Sequence, residues 1–212
     1  FTYRYRHEHC MRGFEWYDMI REAPNYGEEL KESDLSCWKY PSDEEIERVG
    51  VRGVYISNFF KWEANEHGPL MIEKYGFLES EVPFERTYRN MSNLDDIHEN
   101  GIHDYMKWVK FGYGRATDHT SKDVRMGSIS RSEGIKEVLK RDHIKSKDLD
   151  RWLKYVGWSE SDFDICADKF REPSVWWIKG GKWCKHNIDG EEKCYGDVKL
   201  SLADQKKYFI ED

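Results

Sequence analysis

The densest concentration of reactive side chains lies in Phe111 to Gly127, FGYGRATDHTSKDVRMG. Arg115 and Arg125 have the planar fork that grips a phosphate or carboxylate in bidentate fashion. Asp118 beside His119 offers an acid/base pair; because sequence neighbours rarely face one another, Asp123 or a more distant group is the alternative partner for the imidazole. Thr117 adds a hydroxyl, and Gly112 and Gly114 allow tight turns around the whole set. The competing reading makes the segment a plain connection between two amphipathic helices, with Gly112 closing one, Thr117 capping the next and Asp118 complementing its dipole.

Other candidates are sparser. His103 and Asp104 fall on the polar face of a helical pattern containing Tyr105, where a solvated face is the simple explanation. Asn58, Lys61 and Trp62 follow a predicted strand, at the end where open α/β sheets place their ligands. Cys184, His186 and Cys194 give C-x-H-x7-C across a turn at Asp189-Gly190. Structural zinc takes four ligands and no fourth is evident, so these read as plain thiols and no metal site is assigned.

The elements that must position these residues are well punctuated. Ser42 and Glu45 form a capping box that opens a short helix ended by Gly50. Val51 to Ser57, VRGVYIS, predicts a strand, and a helix entered at Pro69 and closed by Gly76 completes a helix–strand–helix unit of the α/β kind. Ile102, Tyr105, Met106 and Val109 match the helical template up to Gly112. Ser130 and Glu133 cap a second helix; Leu149 to Val156, ending at Gly157, and Phe163 to Phe170, before Pro173, predict two more. VWWIKGGKWCKH then reads as a hairpin around Gly180-Gly181. The expected class is therefore mainly α with minor β. Its parts are an α/β edge over residues 1–95, a helical portion over 96–172 and an aromatic hairpin tail over 173–212, packed as one compact unit.

Composition bounds the function. The chain has 212 residues, is 38% hydrophobic and 35% charged, and carries 15% aromatics that make up for part of the thin apolar content. A net charge of −7 argues against a general nucleic-acid or anionic-membrane partner, and no apolar run reaches the length of a membrane span. The five cysteines, Cys10, Cys37, Cys166, Cys184 and Cys194, are odd in number and widely spread, and with no secretory signal they predict thiols in a reducing cytoplasm. The opening FTYRYRHEHCMR has no start or cap signal, which suggests a chain that begins inside a longer protein.

The succession KYPSDEEIERVGVRGVYISNFFKW, EKYGF, RTYRN and GIHDYMKWVKFGYGRATDHTSKDVRMGSISRSEGI resembles the C-terminal half of the N-acetyl sugar amidotransferases, within the PP-loop ATP-pyrophosphatase superfamily. The likeness runs from about Asp34 to about Trp177. It implies the C-terminal part of a PP-loop type α/β nucleotide-binding fold, and an activity that converts a sugar acetamido group to acetamidino for lipopolysaccharide or flagellin sugars. Activation would use ATP and Mg, and ammonia would come from partner glutaminase and synthase-like subunits. In that frame Asp118, His119 and Asp123 take the proton-transfer roles. Arg115, Arg125, Thr117, Asn58, Lys61, Trp62 and His103 bind substrate. The family's SGGxDS phosphate loop and N-terminal cysteine-rich metal motif do not occur in these residues, so ATP and Mg are expected to be held mainly by an upstream half. The alternative class is a non-catalytic helical module whose aromatic excess serves protein contacts.

Overall fold

A computed structural model describes residues 5, 15–91 and 100–211, which divide into two compact units, one up to Leu70 and one from Met71. Cys10 and the boundary expected near residue 95 lie outside the described residues.

The first unit holds helix α1 (Trp16–Glu22), 3-10 turns at Ala23–Tyr26 and Glu32–Trp38, and helix α2 (Asp43–Val49). The capping box at α2 is as the sequence predicts. Ser42 Oγ accepts the Glu45 N–H at 3.2 Å, and Glu45 accepts the Ser42 N–H at 3.1 Å. The strand expected at Val51 to Ser57 is not formed. The segment is extended without pairing and tightens into a 3-10 turn at Ile56–Asn58, with Val51, Val54, Tyr55 and Ile56 all exposed. A strand is stabilised by its ladder, and among the described residues no strand precedes Trp177 to supply one. The following helix, α3 (Ala64–Tyr75), starts five residues before Pro69 and carries that proline in its interior. The Glu63 carbonyl already accepts from the N–H groups of Glu66 and His67, so the helix is nucleated upstream of Pro69.

The second unit is built on α4 (Asn100–Phe111), α5 (Arg115–Met126), α6 (Arg131–Arg141), α7 (Asp148–Val156) and α8 (Glu160–Asp168). Segment 111–127 is therefore mostly helix and not a connection, and the α5 N-cap is Gly114 rather than Thr117. Four strands follow, β1 (Trp177–Lys179), β2 (Lys182–His186), β3 (Glu192–Asp197) and β4 (Ile210–Glu211), with a short helix, α9 (Leu202–Gln205), before the last. The expected hairpin is the β1–β2 pair, inside a mixed sheet of order β3-β2-β1-β4 whose outer β4 runs parallel to β1. The chain is mainly helical with one small mixed sheet.

One side of α4 makes the core. Tyr105, Trp108 and Val109 meet Leu149 and Leu153 of α7, Phe163 and Ala167 of α8, and Trp176, Ile178, Trp183, Leu200 and Tyr208 from the sheet and its loops. The Arg171 guanidinium sits 4.3 Å from the Trp176 ring centre and pairs with Asp168 at 2.9 Å, so a buried cation is held by rings and a carboxylate together. Cys184 and Cys194, expected as free thiols, are joined by a disulfide. The antiparallel β2–β3 register sets them directly opposite, with Cα atoms 4.0 Å apart. Cys37 and Cys166 are free.

Candidate functional site

Four segments of the second unit converge on a cavity of about 280 Å³: the loop around Ser80 to Thr87, the start of α4, the first turns of α5, and the Ser146 to Asp148 turn that opens α7. Arg86 ties them together. It is 1% exposed, and its guanidinium donates to the carbonyls of Ile144, Asp142 and Asp104, the last at 3.3 Å. Burial pulls its pKa down to about 10 despite Asp142 and Asp104 nearby, so it remains a cation at neutral pH.

Asp142 fixes the start of α5. Its carboxylate accepts the N–H groups of Gly114 at 2.8 Å and Ala116 at 3.0 Å, and the Thr117 hydroxyl at 2.5 Å. An acidic group at a helix N-terminus is favourable on both hydrogen-bond and dipole grounds. With the helix so anchored, residues 116, 119, 120 and 123 share its buried face, at i, i+3, i+4 and i+7.

His119 reaches the cavity from that face. Its Nδ1 lies 2.5 Å from Thr87 Oγ1. Burial, with Arg89 and Arg115 adding to it, lowers its pKa to about 4, so the ring is neutral at pH 7. Arg115 is the second sequence candidate at the cavity; its Nε and Nη2 hold one Asp104 oxygen at 3.0 and 2.8 Å. Asp104 is buried, so the solvated-face explanation fails for it; exposed His103 lies 3.1 Å from the same oxygen.

The other candidates do not line the cavity. Asp118 is ion-paired with Lys107 and lies 4.0 Å from Arg115. Asp123 is buried, paired with Arg89 at 2.5 Å and bonded by the Tyr88 hydroxyl, whose pKa burial and that carboxylate push up. Thr117 is spent on Asp142, and Arg125 is exposed and donates to Ser121 Oγ at 2.7 Å. Asn58, Lys61 and Trp62 lie exposed in the first unit, Lys61 paired with Glu66 at 3.1 Å and Trp62 edge-on to His67; with no strand before them, the strand-end argument for them lapses.

Of the cavity residues that sequence reasoning missed, two stand without partners. Asn100, 6% exposed, has neither its amide nitrogen nor its oxygen hydrogen-bonded, and the Ser146 hydroxyl, 7% exposed, also has no partner. A buried polar group left alone costs about 1–3 kcal/mol, which makes such groups markers of a ligand surface. No pattern signalled them, because each is a single polar residue at a helix start.

The glycine-flanked start of α5 is not open to ATP phosphates, because its Gly114 and Ala116 amides are taken by Asp142. Among the described residues no group of three His, Cys, Asp or Glu side chains is placed to hold a metal. The disulfide likewise takes two members of the Cys184, His186, Cys194 set out of metal chemistry.

Residues 67–187 match the family model described as the C-terminal domain of WbpG-like lipopolysaccharide biosynthesis proteins. The chain belongs to that family. No curated protein matches it. The matched span contains the whole cavity and both strands of the hairpin, and leaves β3, α9 and β4 outside. Among the described residues no helix is long and apolar enough to cross a membrane.

Proposed function

We propose that this WbpG-like domain is the sugar-binding part of an N-acetyl sugar amidotransferase, and that the 280 Å³ cavity receives the acetamido group. The observation that carries the reading is the unpartnered side-chain amide of Asn100. A carboxamide with one free acceptor and two free donors pairs reciprocally with another amide, its oxygen taking the substrate N–H and its NH₂ donating to the substrate carbonyl. Ser146 adds a hydroxyl for a ring oxygen or hydroxyl.

His119 and Arg115 supply the polar chemistry at the same cavity. In the tautomer with Thr87 Oγ1 accepting from Nδ1–H, the neutral imidazole keeps the Nε2 lone pair to take a proton from the attacking nitrogen, as a weaker base than an ordinary histidine. Arg115, held by Asp104, faces the cavity as a fixed positive charge for the phosphate that departs with the acetamido oxygen when the nitrogen replaces it. Asp118 and Asp123 then act through Lys107, Arg115 and Arg89 as positioning groups. ATP and Mg²⁺, and the glutaminase and synthase-like subunits that would deliver ammonia, belong to parts of the assembly beyond these residues. The buried aromatics are spent on internal packing, and the exposed ones, among them Phe59, Phe60 and Trp62, are what the interaction-module alternative rests on.

The test is saturation-transfer NMR on the 212-residue chain. The acetamido methyl of N-acetylglucosamine should receive saturation in the wild type, and Asn100→Ala should reduce affinity about tenfold, the cost of one lost polar pairing. Equal transfer to glucosamine, or an unchanged Asn100→Ala titration, would remove the cavity as the acetamido site.

A further inference from the structure

A second cavity, of about 210 Å³, lies between α4, α6 and the β2–β3 hairpin and shares no lining residue with the first. Its wall near the sheet carries Lys185 and Asn187, each 8% exposed. Lys185 Nζ donates to the His186 carbonyl and has donors to spare. The side chain runs beneath the turn at Gly112, where φ is +74° and an added Cβ would come within 2.7 Å of Lys185 Cε and 2.6 Å of a Val175 methyl. Glycine at that turn is thus what lets a charged chain cross the end of α4 into the cavity.

Asn187 is split in its loyalties. Its oxygen accepts the N–H groups of Asp189 at 2.9 Å and Glu191 at 3.0 Å, which builds the hairpin turn, while its buried Nδ2 has no partner. The one carboxylate on the wall, Asp142, has both oxygens engaged by α5 and Thr117. The cavity therefore offers unspent donors and a cation, with no unengaged carboxylate. Trp108, Leu139 and Ile188 supply its apolar side. Its volume falls below the about 300–1,000 Å³ of drug-sized sites, so it suits a molecule with one ring.

We infer that this cavity binds a small one-ring organic anion, with its carboxylate or phosphate on Lys185 Nζ and Asn187 Nδ2 and its ring against Trp108 and Ile188. Charge-assisted donors make the strong kind of hydrogen bond, and two donors on one wall select an anion over a neutral ring. Burial holds the Lys185 pKa below the ordinary lysine range, with Asp142 opposing, and an anion seated there would raise it. This site stands apart from the acetamido cavity, and its failure leaves that reading untouched.

The test titrates the full chain with D-glucuronate, D-glucose 6-phosphate and D-glucose, followed by amide NMR. Saturable shifts of the Lys185 to Ile188 amides are expected with at least one of the two acids and not with glucose, and the tighter acid identifies carboxylate or phosphate as the preferred group. Asn187→Asp keeps the oxygen that accepts from Asp189 and Glu191 but puts a negative oxygen where the donor was. It should weaken the acid at least fivefold with an unchanged circular dichroism spectrum, and Lys185→Gln should do the same. Binding of glucose as tight as the acids, no saturable shift at about 10 mM acid, shifts confined to other residues, or a loss below fivefold in a folded variant would each overturn the assignment.

Discussion

His119 shows why the polar stretch of α5 is hard to read at the level of single residues. Adjacency draws attention to the Asp118–His119 pair, yet on a helix neighbours point about 100° apart, and the two end in different surroundings: Asp118 with Lys107, His119 against Thr87. The useful signal is the spacing of Ala116, His119, Thr120 and Asp123, a helical inward face written in small and polar residues, which a search for apolar periodicity passes over. Arg115 and His119 were legible as candidates, and Asp104 only as a member of a polar face; Arg86 and Asp142 were not, because their roles depend on carbonyls and amides far away in sequence. The depressed histidine pKa has a thermodynamic consequence. The unfolded chain, with an ordinary pKa near 6.5, binds a proton that the folded state refuses until about pH 4. The contribution of the neutral ring is therefore complete above about pH 6.5 and is lost as pH falls toward 4, by roughly 3 kcal/mol in all. Denaturant melts of wild type and His119→Gln at pH 7.5 and 4.5 should show the wild type losing more stability between the two pH values; parallel losses would mean that the ring titrates normally.

At the scale of elements, caps and helix ends were the most readable features, since Ser42 and Ser130 each meet a carboxylate three residues on and make the expected reciprocal bonds. Local chemistry decides those. The failure at Val51 to Ser57 is of the opposite kind: β-branched residues favour a pleated, half-buried surface, but only a neighbouring strand supplies one. The Cys184–Cys194 link was likewise out of reach, because it depends on the β2–β3 register, set by the Asn187 turn and shifted by a bulge at Trp183/Cys184. The first turn of α4 carries a sharper consequence. A Cβ at Gly101 would fall 2.2 Å from the Ser146 Cβ and 2.8 Å from an Asp148 oxygen, and the Gly101 N–H donates to that same oxygen at 3.2 Å. The backbone of the helix is thus packed directly on the side chains of the turn, where both line the 280 Å³ cavity. Gly101→Ala should destabilise the chain by about 1–3 kcal/mol through overpacking and displace Ser146. A thermal melt within one degree of wild type, with N-acetylglucosamine binding intact, would show that the floor yields.

On the scale of the whole molecule, a thin apolar content is offset by concentrating aromatics in one place. The core runs from Tyr105 to Tyr208 and draws every member from the second unit, and the 280 Å³ and 210 Å³ cavities are lined wholly by that unit as well. The family match begins at residue 67, close to where this unit starts. A domain of about 140 residues buries close to 70% of its unfolded surface, enough for a cooperative core. Arg86 and Arg171 then place two cations inside it, each held by partners from the same unit: Asp142 and Ile144 carbonyls for the first, Asp168 and the Trp176 face for the second. Nothing in that internal accounting draws on residues before Met71. A chain of residues 71–212 should therefore unfold in a single cooperative transition and keep the N-acetylglucosamine titration of the full chain. Calorimetry decides the first point, since the van't Hoff and calorimetric enthalpies must agree for a two-state unit. A broad transition with a van't Hoff enthalpy well below the calorimetric one would mean that the second unit needs the first to complete its packing.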